Sequence, residues 1–274
     1  MFLERRAFKR ILITAICFVA TVQSFPILKL FIQNEKIINL IPTVGGAILL
    51  IGAYLVYRMV INDGLVKWGR MGSKLIHDEK KPSEFLKLYE RLTTSDEFII
   101  KKERLEIFQF VQMSHNVLGE GEKCLEASDK LISLSNKKQK AWAYLMKVGC
   151  LYDMGEDEKA EALFNYAKTL KFNYAAASLY DALNKSERSR RQGDYKTAEQ
   201  YWIKILEQNY PKLSAIDILI ANYNLGEIYE QTNEKEKAIF HYNYCIENCG
   251  ETIFGEKARQ GIERLQQEAA PTES

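Results

Sequence analysis

Five prolines and three histidines in 274 residues leave the chain poor in helix breakers and in the commonest metal and acid–base side chain. With 15 glycines besides, long disordered or collagen-like stretches are excluded. A formal net charge of +2 gives the whole chain no electrostatic case for nucleic acid. The five cysteines, Cys17, Cys124, Cys150, Cys245 and Cys249, are odd in number and lack framework spacing, which argues against a secreted disulfide scaffold. Cys245 and Cys249 extend a helical stripe begun by His241, but the outer two lie about 12 Å apart on a continuous helix. One tetrahedral ion cannot reach both, so no metal is expected and the thiols read as reduced, small packing residues. Alternating apolar–polar runs bounded by turns are missing, which excludes a sheet-based fold. No glycine-rich phosphate loop appears outside the apolar Gly45-Gly46 run, and His77, His115 and His241 sit in no ligand or nucleophile motif. Glu234 and Glu236 suit a solvated turn better than a catalytic dyad. The chain is therefore expected to be no enzyme and to carry no cofactor.

What the chain does have divides unevenly. Its mean hydropathy of −0.26 averages an apolar front and a charged remainder. Residues 11–31 carry only Gln23 and Lys29 as strongly polar groups, and residues 38–57 carry no charge. Twenty residues at about 1.5 Å each span roughly 30 Å, a bilayer core, so a two-helix transmembrane hairpin is expected over residues 1–61. A cleaved signal peptide is the rival reading, weakened by the poor junction at Gln23-Ser24-Phe25-Pro26. Arg5, Arg6, Lys9 and Arg10 precede the first run, and Arg58, Lys67, Arg70 and Lys74 follow the second. The positive-inside bias then places both termini in the cytoplasm and makes the lipid bilayer a partner.

From about residue 105 a unit recurs. Gly119-Glu120 precedes Cys124, Gly155-Glu156 precedes Ala160, and Gly193-Asp194 precedes Ala198. In each the small residue follows the glycine by five. The fourth unit has Leu225-Gly226, Tyr229, Ala238 and Tyr242. This pattern resembles the tetratricopeptide repeat, with Asn222 standing where the family has Trp. The resemblance implies an all-α fold: antiparallel helix pairs stacked into an α-solenoid over residues 105–250. Residues 251–274 read as a capping helix and tail. Residues 62–104 read as a helical linker, with Trp68 and Gly72 at the spacing of a degenerate repeat.

The family lines its groove with the first helix of each pair. Carried over, this implies a partner-binding groove of Trp142, Leu145, Tyr152, Tyr180, Arg190, Arg191, Tyr223 and Glu227. Gln109, Met113, Leu183 and Glu230 occupy further inward positions. Aromatics there suit peptide anchors, although several could equally pack between repeats. The family's clamp for chaperone tails needs Lys or Arg where this chain has Tyr180, Asn184, Ile220 and Asn224, so that partner is excluded. The expected function is that of a membrane-anchored scaffold for protein or peptide partners at the cytoplasmic face. Its alternatives are an accessory subunit that makes contact through the hairpin, and a peptide-sensing regulator.

Overall fold

The computed structural model describes residues 67–94, 101–170, 175–207 and 213–269, with positions 51, 52 and 54. The chain divides into two units, Met1–Trp68 with Arg91–Glu103, and Gly69–Glu90 with Arg104–Ser274. The second contains the repeat region, residues 105–250. Among the described residues there are ten bounded α-helices, a π-helical turn at Ser73–Asp78, and no strand. The helices are α1 (Pro82–Thr94), α2 (Lys101–Val117), α3 (Gly121–Leu134), α4 (Lys140–Asp153) and α5 (Asp157–Thr169). They continue with α6 (Ala175–Arg191), α7 (Tyr195–Glu207), α8 (Ala215–Gln231), α9 (Lys235–Asn248) and α10 (Phe254–Ala269). The all-α expectation holds.

The membrane expectation is corrected. No helix among the described residues is long and apolar enough to cross a membrane. The longest, α2, α6 and α8, have 17 residues each. At about 1.5 Å per residue that is roughly 26 Å, short of a bilayer core of about 30 Å. A two-span protein with both termini in the cytoplasm is therefore not supported. The expected spans at residues 11–31 and 38–57 fall outside the described residues, apart from positions 51, 52 and 54.

Four turns of one design join the two helices of each pair, α2 to α3, α4 to α5, α6 to α7 and α8 to α9. Gly119, Gly155 and Gly193 each take φ +75°, and Asn233 takes +61° in the fourth. After each, an acidic residue's N–H reaches back five residues: Glu120 to the His115 carbonyl, Glu156 to Leu151, Asp194 to Ser189 and Glu234 to Tyr229, at 2.8–2.9 Å. The left-handed residue itself bonds three back, closing the second ring of a Schellman motif. Glycine meets no Cβ clash there, and asparagine is the side chain that best tolerates the same conformation. The small residues follow in register: Cys124, Ala160, Ala198 and Ala238 are all buried. α8 begins differently, on a capping box in which Ser214 and Asp217 exchange side chain-to-backbone hydrogen bonds.

The turns reverse the chain, and α4 packs on α5, α6 on α7 and α8 on α9. Neighbouring pairs join through α3 on α4, α4 on α6 and α7 on α8, while α10 covers α8 and α9. Phe254, Ala258 and Leu265 form the buried stripe of α10. The array also meets itself. The Ile253 N–H donates to the Val117 carbonyl at 3.0 Å, and the Glu251 N–H donates to the Lys80 carbonyl at 3.0 Å. The Ser83 N–H in turn donates to the Glu251 carboxylate at 3.0 Å. Phe85 of α1 packs on Phe110 of α2 at 5.6 Å, and the π-helical turn lies on α8. The start of α1 and the end of α2 are thus tied to the α9–α10 connection.

A second expectation also changes. Cys124 of α3 and Cys150 of α4 form a disulfide across a Cα separation of 6.3 Å. Cys124 fills the small-residue position of its repeat, which faces the next pair's first helix at bonding range. Cys245 and Cys249 are free, the first buried.

Candidate functional site

The first helix of each pair turns toward one cleft of about 130 Å³. Met113 and Asn116 come from α2, Met146, Gly149 and Asp153 from α4, Tyr180 and Leu183 from α6, and Ile220 and Asn224 from α8. These residues lie three or four apart on their helices, so each helix presents one face. The first two turns of α6 and α8 supply the mainly apolar end with Tyr180, Ile216 and Ile220, beside Asp217. The last turns of α2, α4 and α6 supply a polar end with Asn116, Asp153 and Glu187.

Of the eight residues expected in a groove, only Tyr180 lines this cleft. Burial and the Asp217 charge raise its hydroxyl. Trp142, Leu145 and Tyr152 are buried at 4%, 0% and 1% exposure. The cause is the direct packing of α4 on α6, clasped by the Asn184 amide donating to the Leu145 carbonyl at 3.0 Å. Tyr223 is buried against Phe254 at 5.3 Å, with Lys257 above its ring at 5.7 Å. Of the further inward positions, Met113 and Leu183 reach the cleft.

Arg190, Arg191 and Glu227 belong to a charge network beside it. Arg190 holds Glu187 in a two-pronged contact at 2.9 and 2.6 Å and reaches Glu227 at 3.3 Å. Glu227 accepts from the Tyr223 hydroxyl at 2.7 Å. Arg191 bonds Glu187 at 2.7 Å, Asp157 at 3.1 Å and the Tyr152 carbonyl. Further out, Arg264 grips Glu230 at 2.6 and 2.9 Å. These arginines are already matched by internal carboxylates and are not an anion site.

The network predicts an acid limb. Burial pushes Glu187 up, and the Arg190 and Arg191 guanidiniums outweigh it, leaving the carboxyl below its ordinary 4.5. Burial and Arg264 act on Glu230 with the same result. A carboxylate held low in the fold contributes stability above its unfolded pKa and loses it as pH falls through the folded one. Melting temperature should therefore fall on acidification below pH 4.5, and Glu187→Gln should flatten that fall. An unchanged acid limb in Glu187→Gln would remove Glu187 from the account.

Asp153, Gln112 and Trp202 belong to the cleft without any motif to mark them in the sequence. Asp153 accepts from the Asn116 amide at 2.8 Å, and the cleft walls crowd it upward. Its carboxyl is raised to about 6, so most of it is ionised at neutral pH. One signal was visible: Asp153 is the sole acidic residue of α4 and stands at its C-terminal end, where the helix dipole opposes negative charge. Gln112 and Trp202 also line the cleft, at 3% and 2% exposure. Gln112 Oε1 and Trp202 Nε1 meet no partner.

The histidines stand apart. His77 is buried and held low, despite the Asp217 and Asp78 charges. His115 pairs with Glu120, and His241 bonds Asn222 while stacking on Tyr229. Among the described residues no three His, Cys, Asp or Glu side chains form a metal-holding group. No family model, curated protein or solved structure matches the chain.

Proposed function

We propose that the chain is an interaction scaffold, an α-solenoid of tetratricopeptide-type pairs that holds a protein or peptide partner at the cleft of its inner helices. The carrying observation is the convergence of α2, α4, α6 and α8 on that cleft. The four Schellman turns and the buried small residues five positions on support the repeat reading. The volume sets what can enter. Small-molecule pockets usually measure about 300–1,000 Å³, whereas a cavity of about 150 Å³ takes a single benzene ring. A cleft of about 130 Å³ suits one side chain of a partner, not a whole helix. Tyr180 and Trp202 are the aromatic walls against which such an anchor packs.

A displayed random-peptide library selected on the full chain is expected to converge on a motif. Gly149→Leu should abolish that binding by filling the cleft. Its first added carbon meets nothing nearer than Asn184 Oδ1 at 3.9 Å, so the fold tolerates the start of the side chain. Tyr180→Ala should cost about 2 kcal/mol, roughly thirtyfold in affinity. Selected peptides indifferent to both substitutions would sink the reading.

A further inference from the structure

We propose that residues 72–85 form a latch on α2 and α8 that a proton on His77 releases. The latch comprises the π-helical turn Ser73–Asp78, the bend after it and the first turn of α1. It does not depend on what the cleft binds. The first support is the way the segment is seated. Leu75, Ile76 and Phe85 are its buried apolar side chains, the last two at 0% exposure. The Phe110 ring of α2 covers Gly72 and leaves no room there for a Cβ. The turn itself lies on α8. At the bend Lys80 takes φ +52°, a left-handed conformation that residues with a Cβ disfavour. The α9–α10 connection holds it there. The Glu251 N–H donates to the Lys80 carbonyl, and Gly250 permits the close approach, since a Cβ on it would lie 2.6 Å from Lys80 Cβ. The seated segment therefore stores backbone strain, which its release would give back.

The second support is the setting of His77. Its Nδ1 is buried and meets no partner, whereas His115 pairs with Glu120 and His241 bonds Asn222. Its ring stands edge-on to Phe110 at 5.9 Å. An imidazolium carries an N–H on both nitrogens, so protonation would seal a charged donor away from water and from any acceptor. The charges around it do not offset this. Asp217 of α8 and Asp78 of the turn favour the proton. Asp217, however, is engaged by the Ser214 N–H at 2.9 Å and hydroxyl at 2.7 Å. Lys74 and Lys81 are held by Glu79 at 3.3 and 3.4 Å, Lys81 also by Glu84 at 3.9 Å, and Glu106 of α2 meets the chain back at Gly69. Burial outweighs both aspartates and holds the imidazole below its ordinary 6.5. The seated segment thus binds its proton less readily than a released one. Seating is at full strength above pH 6.5 and weakens as the pH falls below it, until the seated imidazole is protonated as well. Release uncovers Leu75, Ile76 and Phe85, and acid converts a closed surface into an apolar one.

Hydrogen exchange read by mass spectrometry tests the latch on the full chain, at about pH 7.5 and about pH 5.5, either side of the histidine window. The lower pH stays above the range in which Glu187 titrates. After correction for intrinsic rates, the amides of residues 72–85 should exchange severalfold faster in acid, with a ceiling of about tenfold set by a free histidine at about 6.5. His77→Gln and His77→Phe, the second keeping a ring against Phe110, should remove the acceleration. Asp153→Asn should keep it, although Asp153 titrates near the same pH. A magnetic resonance titration of the ring protons in the unsubstituted chain needs no variant, and His77 should titrate below 6.5. The latch is overturned by any of four results: no acceleration at residues 72–85, the same acceleration in a folded His77 variant, its loss in Asp153→Asn, or a His77 midpoint at or above 6.5.

Discussion

Replacing Tyr242 by Ala is expected to cost about 3–5 kcal/mol, the range for deleting a large buried aromatic. The ring is 0% exposed. It is gripped by two glycines on different helices. A Cβ on Gly226 of α8 would lie 2.6 Å from its ring, and one on Gly261 of α10 would lie 2.5 Å from it. The two glycines have no side chains of their own with which to fill the space. The Tyr223 ring, 6.1 Å away, would lose a packing partner as well. Tyr242→Phe separates packing from polarity. It keeps the ring and loses only the hydroxyl's bond to Glu230, which Arg264 still holds, so it should cost about 1 kcal/mol. Chemical denaturation of both variants decides. If the two cost the same, the hydroxyl bond and not the interlocked ring holds α8, α9 and α10 together.

The same interlock explains what was legible in the sequence. Gly226, Ala238 and Tyr242 could be read as a close-packed pair because small-against-large spacing is a local property of two adjacent helices. The turns were legible for a chiral reason: Gly119, Gly155 and Gly193 must adopt positive φ, and each announces itself by composition. Asn233 was harder, being a permissive substitute. Contacts between pairs were not legible. Trp142, Leu145 and Tyr152 hold the family's inward positions but are sealed because α6 lies directly on α4. No local pattern tells how closely two helices separated by a third will approach. Arg190 and Arg191 share the local partner Glu187 on α6, but their further carboxylates, Glu227 and Asp157, come from α8 and α5 and were not legible. The meeting of Val117 with Ile253 is less legible still, since no local pattern links two residues so far apart in the chain.

Breaking the Cys124–Cys150 bond is the second change expected to weigh heavily on stability. The bond closes a loop of 26 residues between α3 and α4. On the chain-entropy account, a loop of that length destabilises the unfolded ensemble by about 3.5 kcal/mol at room temperature. For a domain of this size each kcal/mol moves the melting temperature by about 2–4 °C, so the shift should be roughly 7–14 °C. The position allows a clean variant. Ala160, Ala198 and Ala238 occupy the equivalent place in the other repeats, so Cys124→Ala substitutes what the fold already accepts there. Its melting temperature should match that of the reduced wild-type chain, and reductant should move it no further. A thiol count on denatured protein should find two fewer thiols before reduction than after. Equal thiol counts before and after reduction would show that the bond does not form.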